Sequence, residues 1–158
     1  MKIAVGCDHG GYVLKEAVLN AIRDSGMEAI DYGTFSEESV DYPQYAYAVA
    51  RAVADGKADR GVLLCGTGIG VSIVANKVDG IRCGHVTDVF SAKATAEHND
   101  ANIIAMGGRI STPDAAYQMT LAYLATPFAG GRHQRRVDMI TAVEQGKFTP
   151  ETGGKTTC

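Results

Sequence analysis

Short apolar runs alternate along the chain with longer segments in which apolar residues recur at helical spacing. The runs predict five strands, at residues 2–7, 28–32, 61–64, 81–86 and 102–106. The periodic segments predict six helices, at residues 12–25, 45–54, 70–77, 89–98, 113–125 and 132–145. Strands that alternate with helices are typical of parallel sheets. We therefore predict an α/β fold: a doubly wound, Rossmann-like, five-stranded parallel sheet in a three-layer α/β/α arrangement.

The length of 158 residues is that of one domain with room for a substantial core. We expect a single domain over residues 1–146, followed at 147–158 by a polar tail that we expect to be disordered. The net charge of −3 argues against a general binder of nucleic acid or of membrane surfaces. No apolar run reaches transmembrane length, and the first residues lack a signal-peptide pattern.

The four cysteines have neither a C-x-x-C pair nor the spacing of zinc ligands. We therefore expect reduced thiols and a cytoplasmic protein. One of them, Cys65, directly follows the apolar strand at 61–64 and opens a loop with glycine at every second position, at residues 66, 68 and 70. Such a loop can turn its N–H groups inward, ahead of the positive end of the next helix.

This stretch predicts a place for a phosphate or a developing oxyanion beside a thiol. Its spacing differs from the dinucleotide fingerprint, because Val71 occupies the third glycine position, and it lacks the Gly-Lys-Ser/Thr of a P-loop. A tight turn with an inert, buried cysteine is the alternative. Ligands of doubly wound sheets bind at the carboxyl ends of strands, and four polar residues are predicted at such ends: Asp8, His9, Cys65 and Arg109.

Six motifs together resemble type B ribose-5-phosphate isomerase, a family that also includes galactose-6-phosphate isomerase subunits. They are Asp8–Gly11, Asp41–Pro43, Cys65–Gly70, Ala75–Lys77, Glu97–Asn102 and Gly130–His133, in that order. The resemblance extends from Lys2 to about Gln145. It implies a metal-free enzyme without a cofactor, whose small-molecule partner is a phosphorylated sugar. It also implies a homodimer, or a tetramer, with active sites shared across the interface.

The implied reaction interconverts ribose 5-phosphate and ribulose 5-phosphate through a cis-enediolate. Cys65 resembles the base of the family, and it has no rival because Val71 stands where a second subtype has a glutamate. Thr67 would pass a proton between the two enediolate oxygens, since a hydroxyl both donates and accepts. The remaining loop residues resemble the anion hole for those oxygens: Gly66, Gly68, Ile69 and Gly70.

His98 resembles the residue that opens the sugar ring, although on its own it would read as a helix C-cap. Asn99 would bind a sugar hydroxyl, while Asp8 and Tyr42 would contact the ring or assist its opening. The phosphate would be held by the residues of cationic type: His9, Arg109, Arg132 and Arg136. The family pattern requires no cation at the neighbouring Arg135.

Two other functions stay open. One is an isomerase of a 6-phosphohexose, such as allose or galactose 6-phosphate, and the other is a non-catalytic sugar-phosphate-binding module. The segment Cys83-Gly84-His85 departs from a more aliphatic fourth strand, and glycine inside a strand weakens it or makes room for a close approach. Neither this segment nor the tail is expected to touch the chemistry.

Overall fold

The computed structural model describes residues 1–150, in which strands and helices alternate as predicted. The strands are β1 (Lys2–Cys7), β2 (Glu28–Asp31), β3 (Arg60–Cys65), β4 (Cys83–His85) and β5 (Ile103–Gly107). The helices are α1 (Tyr12–Asp24), α2 (Tyr42–Ala54), α3 (Ile69–Ala75), α4 (Val89–Asn99), α5 (Pro113–Ala125) and α6 (Arg132–Glu144).

All strand pairs are parallel, and the order across the sheet is β2-β1-β3-β5-β4. The predicted doubly wound α/β fold is therefore confirmed. The register pairs Cys7 with Leu64 and Cys65 with Gly107, so β1, β3 and β5 end side by side. Segments that follow these three strands consequently meet at one edge of the sheet.

Strand β4 is shorter than predicted, with three residues instead of the six at 81–86. It lies at the edge of the sheet and pairs only with β5. The Ile81 amide bonds the Val78 carbonyl in a turn, so that residue never reaches the ladder. An apolar run alone could not distinguish this turn from strand.

A buried apolar cluster covers each face of the sheet, which explains why the strands read as continuous apolar runs. On one face α1, α4 and α5 pack against the sheet, with Leu14, Val18, Met119 and Tyr123 fully buried. On the other face α2 and α3 pack through small residues, among them Ala46, Ala50 and Ala75. Helix α6 lies at the rim, where only Val137 is buried.

The helix boundaries follow the local signals in the sequence. Thr112 caps α5 by accepting a hydrogen bond from the Ala115 amide, and Pro113 begins the helix, as predicted. Residues 147–150 are in neither helix nor strand, and the rest of the predicted tail, 151–158, lies outside the described residues. No helix in the described part of the chain is long and apolar enough to cross a membrane.

Candidate active site

The Cys65 thiol lies at the carboxyl end of the central strand β3, and only 5% of the residue's surface is exposed. Its Sγ accepts a hydrogen bond of 3.0 Å from the N–H of Gly68. Gly68 reaches this position with a φ of 78°, a left-handed conformation that favours glycine. The alternate glycines thus wrap the loop around the sulfur, as the sequence predicted.

The same loop presents N–H groups that donate to no protein acceptor. Within residues 1–150 this is true of the amides of Gly66, Thr67 and Gly70. The Ile69 amide has only a long contact of 3.4 Å, to the Thr67 hydroxyl. Unpaired amides at the start of a helix attract negative charge. The loop can therefore hold an anion beside the thiol.

The segment after β1 packs directly against this loop. A Cβ on Gly10 would lie 2.9 Å from the Gly66 nitrogen, so only glycine permits the approach. Asp8 is buried, and its carboxylate accepts a hydrogen bond of 2.9 Å from the Gly11 amide. His9 accepts one of 3.2 Å at Nδ1 from the Val40 amide. Neutral His9 therefore carries its proton on Nε2, where it can donate to a ligand.

Two further predicted residues close around the loop. Tyr42, the first residue of α2, lays its ring against the start of α3, with ring carbons 2.8 Å from where a Gly70 Cβ would be. Arg109 follows β5, and its Nε is 3.3 Å from the equivalent point on Gly66. The structure thus gathers these predicted residues in one place, which we call the Cys65 cluster: Asp8, His9, Tyr42, Cys65–Gly70 and Arg109.

The other four predicted residues form a second group at the opposite edge of the sheet. Helix α4 runs from the carboxyl edge of the sheet to the amino edge. His98 and Asn99 lie in its last turn, just before β5 begins, and so at the amino edge. Helix α6 starts beside them, because the Ala129 amide bonds the carbonyl of Glu97. We call this group the His98 cluster: His98, Asn99, Arg132 and Arg136.

The five residues of β5 separate the two clusters, a distance on the order of 15 Å. His98 of a chain therefore cannot reach the Cys65 of the same chain. Each cluster holds part of the predicted machinery, and one chain does not bring the parts together.

The His98 cluster includes a residue absent from the predicted set. His133 stacks on His98, with ring centroids 4.4 Å apart and an interplanar angle of 7°. The pKa of His133 lies below its usual value, because protein replaces water around the ring and because His98, Arg132 and Arg136 add positive charge. Its place in the Gly130–His133 motif was the available signal, but the stacking partner is on another helix.

His85 was not expected to touch the chemistry, but the structure places it against the glycine loop. Its Nε2 lies 2.8 Å from the carbonyl oxygen of Thr67, in the middle of the glycine loop. Gly84 behaves as one of the two predicted alternatives, because a Cβ there would be 2.2 Å from the Thr95 hydroxyl of α4. Gly84 thus allows α4 to pack closely against edge strand β4, and His85, the last residue of β4, contacts the glycine loop.

The other cysteines of the described chain are in different surroundings. Burial raises the pKa of the Cys7 thiol to about 11 and that of Cys83 to about 12. All three described cysteines are free thiols. Within residues 1–150, no group of three or more His, Cys, Asp or Glu side chains could hold a metal ion.

Comparisons with known proteins identify relatives over most of the chain. The family model described as Ribose/Galactose Isomerase matches residues 3–140. The chain is 48% identical to ribose-5-phosphate isomerase B of Escherichia coli, over 91% of this chain and 97% of that protein. It is 40% identical to D-erythrulose-4-phosphate isomerase of Pectobacterium atrosepticum, over 89% of this chain and 93% of that protein.

A solved structure of Clostridium thermocellum ribose-5-phosphate isomerase B superposes with a TM-score of 0.89 at 47% identity. The match covers 92% of this chain and 99% of that one. Sequence and structure therefore agree over nearly the whole domain, and the chain belongs to the ribose/galactose isomerase family, that of the type B ribose-5-phosphate isomerases.

Proposed function

We propose that this protein interconverts ribose 5-phosphate and ribulose 5-phosphate by proton transfer between C1 and C2. The observation that carries the proposal is the buried Cys65 thiol, held by the Gly68 amide next to loop amides without protein acceptors. A base beside an anion hole is what an enediolate mechanism requires. Family membership supports the same class of reaction.

In this proposal the Cys65 thiolate removes the proton from C2 of the open-chain aldose and returns a proton at C1. The negative charge that develops on the two oxygens is stabilised by the amides of Gly66, Ile69 and Gly70. Because Gly68 donates to the sulfur, it acts on the base and not on the enediolate. Thr67 shuttles the proton between O1 and O2, and Asp8 and Tyr42 contact the sugar.

His98, the residue to which we assign ring opening, lies outside the Cys65 cluster of its own chain. We propose that two copies pair so that the His98 cluster of one faces the Cys65 cluster of the other. His98 then protonates the ring oxygen, and Asn99 binds a sugar hydroxyl. Exposed apolar side chains on three helices give such a pair a surface to bury: Ile69 and Ile73, Phe90, Ile140 and Val143.

The same pairing would place cations on both sides of the phosphate. Arg109 supplies the cation of the Cys65 cluster, with neutral His9 beside it as an Nε2–H donor, and Arg132 and Arg136 come from the second copy. A guanidinium donates in a planar fork that matches phosphate oxygens. The free thiol that the mechanism needs is maintained in a reducing compartment, so we also propose a cytoplasmic location.

The decisive experiment compares ribose 5-phosphate, allose 6-phosphate and galactose 6-phosphate as substrates of the purified protein and of Cys65→Ala. We expect the highest kcat/KM on ribose 5-phosphate, with entry of solvent deuterium at C2 of recovered substrate. The Cys65→Ala variant should bind the sugar phosphate and exchange no proton, because its base is missing.

Near-parental exchange in Cys65→Ala would remove Cys65 from the role of base. Preference for a six-carbon phosphate would favour the hexose alternative. Binding without exchange by the parent protein would identify a non-catalytic sugar-phosphate-binding module.

A further inference from the structure

His85 occupies an unusual place at the edge of the sheet. It is the last residue of β4, it is exposed, and its ring turns towards the glycine loop of the Cys65 cluster. The ring lies where a side chain at Gly68 would be: Cδ2 is 2.7 Å and Nε2 is 2.9 Å from the position of a Cβ there. His85 therefore fixes the part of the loop that touches the sulfur.

The hydrogen bond of His85 has a defined direction. The Thr67 carbonyl oxygen, 2.8 Å from Nε2, can only accept, so the Nε2 of His85 carries the proton and donates it. The carbonyl of Thr67 and the N–H of Gly68 belong to one amide group. That N–H in turn donates to Sγ of Cys65 over 3.0 Å. The three groups form a chain from imidazole through amide to thiol.

Hydrogen bonds in such a chain strengthen one another. Donation to the carbonyl oxygen polarises the amide and makes its N–H a better donor. The sulfur benefits most when it is a thiolate, because hydrogen bonds to charged groups are the stronger ones. We propose that His85 is a positioning residue: through the Thr67–Gly68 amide, it orients and polarises the N–H that stabilises the Cys65 thiolate.

The test uses two substitutions of matched shape. Gln places an N–H near the position of Nε2, whereas Met has a similar length and no donor. The readout is the rate of Cys65 alkylation by iodoacetamide at neutral pH, followed peptide by peptide by mass spectrometry. We expect His85→Met to slow this alkylation about 3- to 10-fold, the size of one lost hydrogen bond, and His85→Gln to stay within about twofold of the parent.

Cys83 controls for damage to the strand itself. It lies two residues before His85, and in the intact strand burial keeps its pKa at about 12. If His85→Met makes Cys83 reactive, then His85→Phe takes its place, because a phenyl ring fills the space beside Gly68 without donating. The proposal is overturned if the non-donating variant alkylates like the parent, or if Gln and the non-donating variant are slowed alike.

Turnover gives a second reading, which rests on the proposed function. We expect kcat for ribose 5-phosphate to fall in parallel with alkylation while KM stays within about twofold, because His85 acts on the base. An unchanged kcat with slowed alkylation would remove Cys65 from the role of base and leave the His85 contact intact. If the rate of Cys65 alkylation does not depend on whether residue 85 carries an N–H donor, the role of His85 is overturned and the isomerase proposal is unaffected.

Discussion

At the scale of single residues, the cysteines illustrate how surroundings divide one residue type into reactive and inert groups. Cys7 is fully buried, and its Sγ has only a long contact of 3.7 Å to the Thr34 carbonyl. Cys83 is partly buried and packs against the apolar cluster of α2 and α3. Only the sulfur of Cys65 accepts a backbone N–H among the described cysteines. An amide donor favours the thiolate, whereas burial opposes it.

This contrast predicts selective alkylation. At pH 8 a thiol of pKa about 11 is ionised in roughly one molecule in a thousand, and one of pKa about 12 in roughly one in ten thousand. Iodoacetamide should therefore label Cys65 in the native protein long before Cys7 or Cys83, and all three at similar rates in urea. As pH rises towards 11, Cys7 should become reactive before Cys83 does. Equal labelling of Cys7 and Cys65 at pH 8 would contradict this account.

At the same scale, sequence reasoning placed Cys65 at a strand end beside the glycine loop but did not indicate the contacts of His85 and His133. Cys65 could be found because the end of a strand and a glycine loop are local features. The contact between His85 and Thr67 joins residues 18 positions apart. It depends on the order of strands in the sheet, in which β5 lies between β3 and β4, and short sequence patterns do not specify that order. The stack of His133 on His98 likewise depends on how α6 meets α4. Neither packing leaves a periodic signal.

At the scale of elements, edge strand β4 contains a glycine that weakens the strand but allows a helix to pack closely against it. Gly84 interrupts the strand, but a Cβ at this position would lie 2.2 Å from Oγ1 and 3.0 Å from Cβ of Thr95. The first distance is far below van der Waals contact, so α4 packs on β4 only because residue 84 is glycine. The sequence indicated a close approach without indicating which helix approached.

A substitution of Gly84 should therefore destabilise the fold, and a second substitution should repair part of the damage. Overpacking of this kind costs about 1–3 kcal/mol. We expect Gly84→Ala to lower the free energy of unfolding by that amount in urea titrations. Thr95→Ala removes the Oγ1 that clashes, so Gly84→Ala/Thr95→Ala should lose less than the sum of the single variants. Strict additivity would show that the two side chains do not meet.

Helix α6 presents its arginines unequally. The positive charges of Arg132 and Arg136 lower the pKa of His133, whereas Arg135 is not among the causes. Residues four apart share a helix face, so Arg132 and Arg136 lie together on one face of α6.

Removal of Arg132 or Arg136 should therefore damage catalysis without damaging the fold. A charge-assisted hydrogen bond contributes about 1.5–3 kcal/mol, which corresponds to a roughly 10- to 150-fold loss of kcat/KM for each alanine variant on ribose 5-phosphate. Lysine should not rescue fully, because an ammonium cannot make the two-pronged contact. Arg135→Ala is the matched control and should stay near the parent. Equal losses on unphosphorylated ribose would place the phosphate site elsewhere.

At the scale of the whole molecule, the direction of the helices determines which residues can share a site. Every helix that crosses between parallel strands runs back from the carboxyl edge to the amino edge, so a residue at its end is carried away from the strand ends. The order of elements could be predicted from the sequence. The consequence that His98 and Cys65 lie at opposite edges required the strand register and the bounds of α4.

A site shared between two copies makes a quantitative prediction. Cys65→Ala and His98→Ala should each be nearly inactive, because every site in either homodimer lacks one group. In a mixed dimer, one site combines both defects and the other has both residues intact. Since half the dimers are mixed after equal exchange, about a quarter of the parental activity should return. A Cys65→Ala/His98→Ala double variant mixed with parent chains provides the control. Its mixed dimers have no intact site, so the activity per parent chain should fall to about half in an equal mixture, whereas unshared sites would leave it unchanged. No recovery on mixing the single variants after verified subunit exchange, or a fully active monomer by light scattering, would show that each chain builds its site alone.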